Sequence, residues 1–345
     1  MTGGLTVELA RLITGQVFLH ASMAGMRLAT PLLALRHGYS EAAVGVLLAL
    51  FALTQVFLAL PAGRYADRHG LKRPFGFATI AAAAGCALAV VWPVFPVLCV
   101  AALLTGGATG AASIALQRHV GRAAEGATQL RKVFSWLAIG PAFSNFLGPF
   151  AAGIAIDHGG FQLAFLLMAV LPLASWAWVR GTQELPPVPV LEGERPRPAW
   201  DLLRQTDFRR LLMVNWLLSS CWDVHTFVVP VLGHERGLSA SVIGTILGAF
   251  AVAAVVIRIL LPVLAAHVRE WAVITGSMAA TAVLFCVYPL LDSALAMGLC
   301  SVLLGMALGS VQPMIMSMLH QITPEHRHGQ AVGLRLMAIN ASSVA

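Results

Sequence analysis

Three charged residues, Arg27, Asp223 and Arg258, fall inside long apolar runs of the chain. An ionised group in such a place is costly and defaults to a functional role. Asp223 is the one suited to carrying a proton, because burial raises a carboxylate's proton affinity whereas an arginine stays protonated. It belongs to a stripe: Asn215, Ser219, Asp223, Thr226 and Pro230 recur at the spacing of one helix face. The same face of an earlier run reads Gln16, His20, Ala24, Arg27 and Pro31. One stripe carries an anion and the other a cation, with amides, hydroxyls and an imidazole around them, so together they can bind a polar solute. His225 lies about 200° from Asp223 around the helix and faces a neighbouring helix instead. Arg258 is near the end of its run, where its side chain can snorkel to the interface, and reads as structural. Thr105, Thr109, Ser113, Asn145 and Gln312 are further candidates to line a polar cavity.

A second cluster is of another kind. The stretch PAGRYADRHGLKRPF, residues 61–75, holds Arg64, Asp67, Arg68, Lys72 and Arg73 between two apolar runs. Asp67 can accept hydrogen bonds from the amides that begin a helix, where the helix dipole favours an anion. Arg118 and Arg122 are possible cationic partners, and Gly63 and Gly70 permit tight turns. In Met314, Met316, Met318 and His320 the alternation spreads around a helix, so packing is expected there and no metal path. The PEHRHG run at 324–329 reads as a solvated turn.

The elements that must hold these residues are membrane helices. The chain is 58% hydrophobic and 11% charged, against about half and about a quarter in soluble domains. Its apolar runs match the ~20 residues needed to cross a bilayer. The expected spans are 9–34, 41–62, 75–92, 97–117, 133–156, 161–180, 210–233, 240–265, 271–291 and 294–320, with an eleventh from about 329. Of the 22 basic residues, 16 lie in or at the ends of the loops after even-numbered spans and only Arg36 and Arg236 in the opposite loops. The N-terminus and the even-numbered loops are therefore expected to be cytoplasmic. The net charge of +7 is this bias, and it gives no reason to expect a nucleic-acid partner. The first span is too long for a cleaved signal and is read as retained. Five cysteines without a CxxC pair read as packing residues, not as a disulfide framework or a metal site. Two lysines against twenty arginines, with many alanines, suggest a GC-rich bacterium and its inner membrane.

The chain is also written twice. Residues 11–51 align without gaps on 210–250, with ten identities that include Arg11/Arg210, Pro31/Pro230, Gly38/Gly237 and Phe51/Phe250. Weaker echoes follow at offsets of 200 to 204, among them Leu130-Arg131 with Leu334-Arg335. Parallel repeats joined by a polar linker characterise one transporter architecture. The expected organisation is a bundle over 1–180, a cytoplasmic linker over 181–209 and a second bundle over 210–345. In the linker, Trp200–Arg204 forms either a short interfacial helix or bare loop. By the repeat's spacing the second bundle should run roughly 35 to 50 residues further, so the chain reads as C-terminally truncated.

Gly63, Ala66, Asp67, Arg68, Gly70, Lys72 and Arg73, placed after the second span of a duplicated chain, resemble the loop signature of the major facilitator superfamily, with Tyr65 where leucine is usual. Gly148, Pro149, Ala152 and Gly153, preceded by Gly140-Pro141, resemble the glycine–proline motif of that superfamily's proton-driven exporters. An intramembrane arginine expected early in span 4 of its drug exporters is absent from AALLTGGATGAAS. The resemblance implies an all-α membrane protein of two pseudo-symmetric six-helix bundles, the second incomplete, with about eleven helices present. It implies that Asp67 latches onto the start of span 11, and that spans 1 and 7 line a central cavity. There Arg27 and Asp223 would pair or exchange partners, a static ion pair being the alternative. The corresponding stretch of the second half, LLPVLAAHVREW, has no acid at the matching place.

The function expected is secondary active transport of a small molecule by alternating access, with proton-coupled efflux first and proton-coupled uptake of a small organic anion second. A membrane sensor or membrane-embedded enzyme is disfavoured: no soluble domain is appended, and HExxH, GxSxG and clustered metal ligands are missing. No cofactor is expected, and the partners are the solute, protons and the bilayer around a monomer.

Overall fold

The computed structural model describes residues 3–186, 198–238, 240–264 and 269–342. Among them the secondary structure is helical throughout: α1 Gly3–Arg36, α2 Glu41–His69, α3 Lys72–Val91, α4 Phe95–Ala123, α5 Gly126–Leu137, α6 Ile139–Val179, α7 Thr206–Glu235, α8 Ala240–Leu264, α9 Glu270–Val287, α10 Ala294–Ile322 and α11 His328–Ser342. Most of the linker's proline-rich part, residues 187–197, lies outside the described residues, and Ala199–Arg204 is a short 3₁₀ turn.

Among the described residues, 8 helical segments are long and apolar enough to cross a membrane. Helix α7 is 30 residues long but carries a polar stripe. Large apolar side chains such as Phe57, Ile80, Val263 and Leu295 project outward, as lipid-facing residues do.

The expected spans 133–156 and 161–180 are divided differently. Helix α5 stops at Leu137, and α6 runs on for 41 residues with a non-helical bend at Gly160, φ 74°. The first break has a local cause. Pro141 has no N–H to give, and its ring clashes with the carbonyl four residues back, that of Leu137. The bend at Gly160 takes a positive φ that only glycine adopts cheaply, and it turns one over-long helix into two crossing segments.

The described residues form two compact units that do not follow chain order: Met1–Ala123, Gly140–Asp201 and Thr323–Val344 in the first, Ala124–Ile139 and Leu202–Ile322 in the second. Residues of α11 thus pack with the first unit, and α5 with the second.

Both units are knitted by small residues that let backbones touch, the usual solution where lipid supplies no hydrophobic drive between helices. A side chain on Gly106 would strike the Phe51 carbonyl, and one on Gly305 the Phe250 carbonyl. Each pair is separated by 199 positions from the other, so the internal repeat is also a packing repeat. In the first unit α1 lies along α6. Ser22 donates to the Met168 carbonyl at 2.7 Å, Ser175 to Gly15 at 2.6 Å and Ser144 to Val17 at 3.1 Å.

The motif glycines of α6 divide at this contact. A Cβ on Gly148 would meet the Ala21 carbonyl and lie 2.8 Å from the Gly25 nitrogen, whereas one on Gly153 has nothing within 4 Å. Close helix approach therefore rests on Gly148 and not on Gly153. Gly148→Val is expected to destabilise the protein by about 1–3 kcal/mol or more, and Gly153→Val is expected to leave the unfolding temperature unchanged. Thermal unfolding of the two variants in detergent checks this.

Candidate functional site

The side chain of Asp67, near the end of α2, is the most heavily satisfied acid in the first unit. Its Oδ1 accepts from the Gly329 amide at 2.8 Å and its Oδ2 from the Gln330 amide at 3.0 Å, both at the start of α11. Arg118 of α4 closes the third side, with Nε 2.7 Å from Oδ1 and Nη2 3.1 Å from the Asp67 carbonyl. The two side chains are only 6% and 2% exposed. This is an anion on a helix N-terminus, reinforced by a guanidinium.

Gly63, one turn earlier on α2, makes the approach possible. A Cβ on Gly63 would run into the Gly329 carbonyl, and a Cβ on Gly329 into the Gly63 carbonyl. The contact continues along α11, where a side chain on Gly333 would lie 2.5 Å from the Ala59 carbonyl and Asn340 donates to Gln55 at 3.3 Å.

The other members of the charged stretch do different work. Gly70 ends α2 with φ 75°. Arg68 and Arg73 are exposed, and Lys72 is half-buried. Of the two proposed cationic partners only Arg118 meets Asp67; Arg122 donates to the Pro186 carbonyl at 3.0 Å and stands 3.9 Å from exposed Glu325. Glu184, which the sequence did not single out, accepts from the Leu71 and Lys72 amides at 2.5 and 3.2 Å and so caps α3. An acid in a proline-rich linker carries no spacing signal that would reveal this.

The second unit holds an acid where the sequence reading expected none. Glu270, 203 positions after Asp67, opens α9. Its Oε1 accepts from Arg131 of α5 at 2.9 Å, and from Ser317 and Gln321 of α10 at 2.9 and 2.7 Å. Gln321 stands 203 positions after Arg118, and α11 begins about as far after α5. The arrangement around Asp67 thus has a counterpart, with a neutral amide where the first has a guanidinium and an arginine where the first has helix amides. The expectation failed because the repeat's offset drifts from 199 to 203 between these points.

Arg258 does not snorkel. It is buried, donates from Nε to the Gly309 carbonyl at 3.2 Å and from Nη1 to the Ala138 carbonyl at 3.1 Å, and lies over the Trp222 ring. A group already held by two buried acceptors gains nothing by reaching for the interface.

The polar stripes are distributed as follows. On α1, Arg27 is exposed and Gln16 is buried. Gln16 and half-buried His20 border a cavity of about 10 Å³ shared with Thr109 and Ser113 of α4. The Gln16 Oε1 and His20 Nδ1 atoms are buried there without a protein partner. Such a volume is about that of one water. Asn145 lies beside His20, on the helical turn loosened by Pro149 of the α6 motif. On α7, Asp223 is exposed, its carbonyl accepts from Thr226 at 2.8 Å, Ser219 is half-buried, and Asn215 is buried with Nδ2 unpaired. His225 turns away to Ser301 at 3.1 Å and stacks on Phe250. Gln312 is half-buried on α10.

A family model described as Major Facilitator Superfamily matches residues 12–345. Tetracycline resistance protein, class B, of Escherichia coli is 33% identical over 144 residues, 40% of this chain and 35% of that protein, so the match spans about a third of the relative's length. The fold is similar to that of the human organic anion transporter MFSD10 (TETRAN), at TM-score 0.80 and 16% identity over 98% of this chain and 91% of that one. It is similar as well to a bacterial homologue of the iron transporter ferroportin in its outward-facing state, at TM-score 0.78 and 15% identity over 98% and 90%.

Proposed function

The chain belongs to the Major Facilitator Superfamily, and from that premise we propose that this multi-pass membrane transporter exports a small molecule by alternating access, in exchange for protons. The observation that carries the reading is the Asp67 contact. A carboxylate seated on the first amides of α11 and paired with Arg118 is a junction that forms or breaks as a whole, since its members share one anion. In this reading it latches the cytoplasmic side, with Gly63 and Gly329 giving the approach and Arg68, Lys72 and Arg73 setting topology. The N-terminus and the α2–α3 turn are cytoplasmic, and the membrane is a bacterial inner membrane.

Export is favoured over uptake by the stretch shared with a tetracycline resistance protein, since outward movement of a toxic compound confers resistance. The glycine–proline sequence of α6 supports it by resemblance. Gln16, His20, Asn145, Asn215, Ser219, Thr226 and Gln312 supply hydrogen bonds to the solute, and Asp223 carries the proton. Arg27, an exposed cation on α1, favours the second reading, uptake of a small organic anion with protons.

Flux measured in inverted and right-side-out vesicles under an imposed pH gradient separates the two, with tetracycline and benzoate as first probes. Export predicts gradient-driven accumulation in inverted vesicles; accumulation only in right-side-out vesicles replaces it with uptake. Asp223→Asn is expected to lose gradient-driven accumulation while keeping solute exchange. An unchanged response to the gradient removes Asp223 as the proton carrier.

A further inference from the structure

Arg335 lies on α11 and is 2% exposed. Among the described residues it forms no hydrogen bond or ion pair, and its Nε is buried without a partner. Three other buried arginines among the described residues have partners. Arg118 pairs with Asp67, Arg258 donates to two carbonyls, and Arg131, the repeat counterpart of Arg335 at 204 positions' distance, pairs with Glu270.

Nor does Arg335 serve the latch. Gly329, Gly333 and Asn340 mark the face of α11 that meets α2. Arg335 is two residues from Gly333, about 200° around the helix, and roughly 9 Å along the axis from Gly329. A buried guanidinium without a counter-charge destabilises the structure that holds it, and in a membrane helix it marks a solute or ion route. Among the described residues Glu270 meets the repeat partner and no counter-charge meets Arg335.

We propose that Arg335 is a binding residue for an oxyanion that enters from outside the chain: the carboxylate, or an equivalent planar or tetrahedral oxyanion, of the transported solute. Its fork of N–H donors fits two oxygens at once. The inference rests on the transporter reading and narrows it to solutes with an anionic group, whatever the direction of flux.

The test is the thermal unfolding of the purified full chain in a neutral detergent, titrated with sodium benzoate, with sodium phosphate, or with phosphatidylglycerol, each against sodium chloride at matched ionic strength. The wild type is expected to gain stability with benzoate or phosphate in a saturable way. Arg335→Met is expected to start from a higher unfolding temperature without anion, because the uncompensated charge is gone, and to show no saturable gain. Arg335→Lys keeps the charge without the fork and is expected to bind the anion at least about tenfold more weakly, a loss of ~1.4 kcal/mol; it provides the comparison if the methionine variant does not fold. No anion-dependent gain in the wild type, or an equal gain in the variants, overturns the proposal. A gain with phosphatidylglycerol alone overturns the assignment to a transported solute. Because binding is read without flux, a wild type that binds benzoate but moves nothing counts against the transporter reading and leaves the anion site standing.

Discussion

Asp67→Asn is expected to lower solute flux by at least about tenfold in vesicles that contain wild-type amounts of inserted protein. The asparagine keeps the size of the aspartate but not its charge, and its amide nitrogen cannot accept from a backbone N–H. One of the two α11 amides, Gly329 or Gln330, loses its acceptor, and Arg118, 2% exposed, loses the counter-ion it pairs with. Breaking a buried pair by removing one member costs about 3–5 kcal/mol, and each 1.4 kcal/mol is a factor of ten in a population. If the contact defines one of the two states of the cycle, that state becomes scarce and the cycle slows. Arg118→Lys should fall between the two, since it restores charge without the second donor to the Asp67 carbonyl. Flux per inserted molecule is the readout, and wild-type flux in Asp67→Asn would remove the latch.

Gly63→Val is expected to cost as much, by a different route. The variant leaves every charge in place, but its Cβ would occupy the position of the Gly329 carbonyl. The obstacle is backbone on both sides, so no side chain can rotate away, and the helices must separate. Separation lengthens both hydrogen bonds to Asp67 at once. The expected result is flux as low as in Asp67→Asn, together with an unfolding temperature lowered as in Gly148→Val, since the obstacle is the same kind of backbone contact. Gly45→Val, on the same helix with nothing within 4 Å of its Cβ position, is the control. Equal flux in Gly63→Val and Gly45→Val would show that close approach of α2 and α11 is irrelevant to the cycle.

Much of this was legible in the sequence, for reasons that can be named. Apolar runs give membrane helices because the backbone must satisfy itself in lipid. The spacing of Gly63, Asp67 and Gly70 was legible because each residue type has a distinct task. The repeat was legible where it is ungapped, and its Phe51/Phe250 identity marks the place where Gly106 and Gly305 meet equivalent backbone.

What was missed depends on three-dimensional neighbours. Glu270 escaped because alignment by a fixed offset points into residues 265–268, a few positions short of it. Arg258 was read as snorkelling because its position in the chain says nothing of the Ala138 and Gly309 carbonyls that hold it. Arg335 escaped because the sequence shows a charge but not whether a partner reaches it.

The most direct test of the latch is the distance between the ends it joins. Spin labels at exposed Arg64 of α2 and exposed Glu325, just before α11, in a background freed of the five native cysteines, report that distance by pulsed electron resonance. The account predicts a short population in the wild type that shrinks in favour of a longer one in Asp67→Asn and in Gly63→Val, in proportion to the loss of flux. Identical distance distributions in the wild type and both variants, alongside reduced flux, would contradict it.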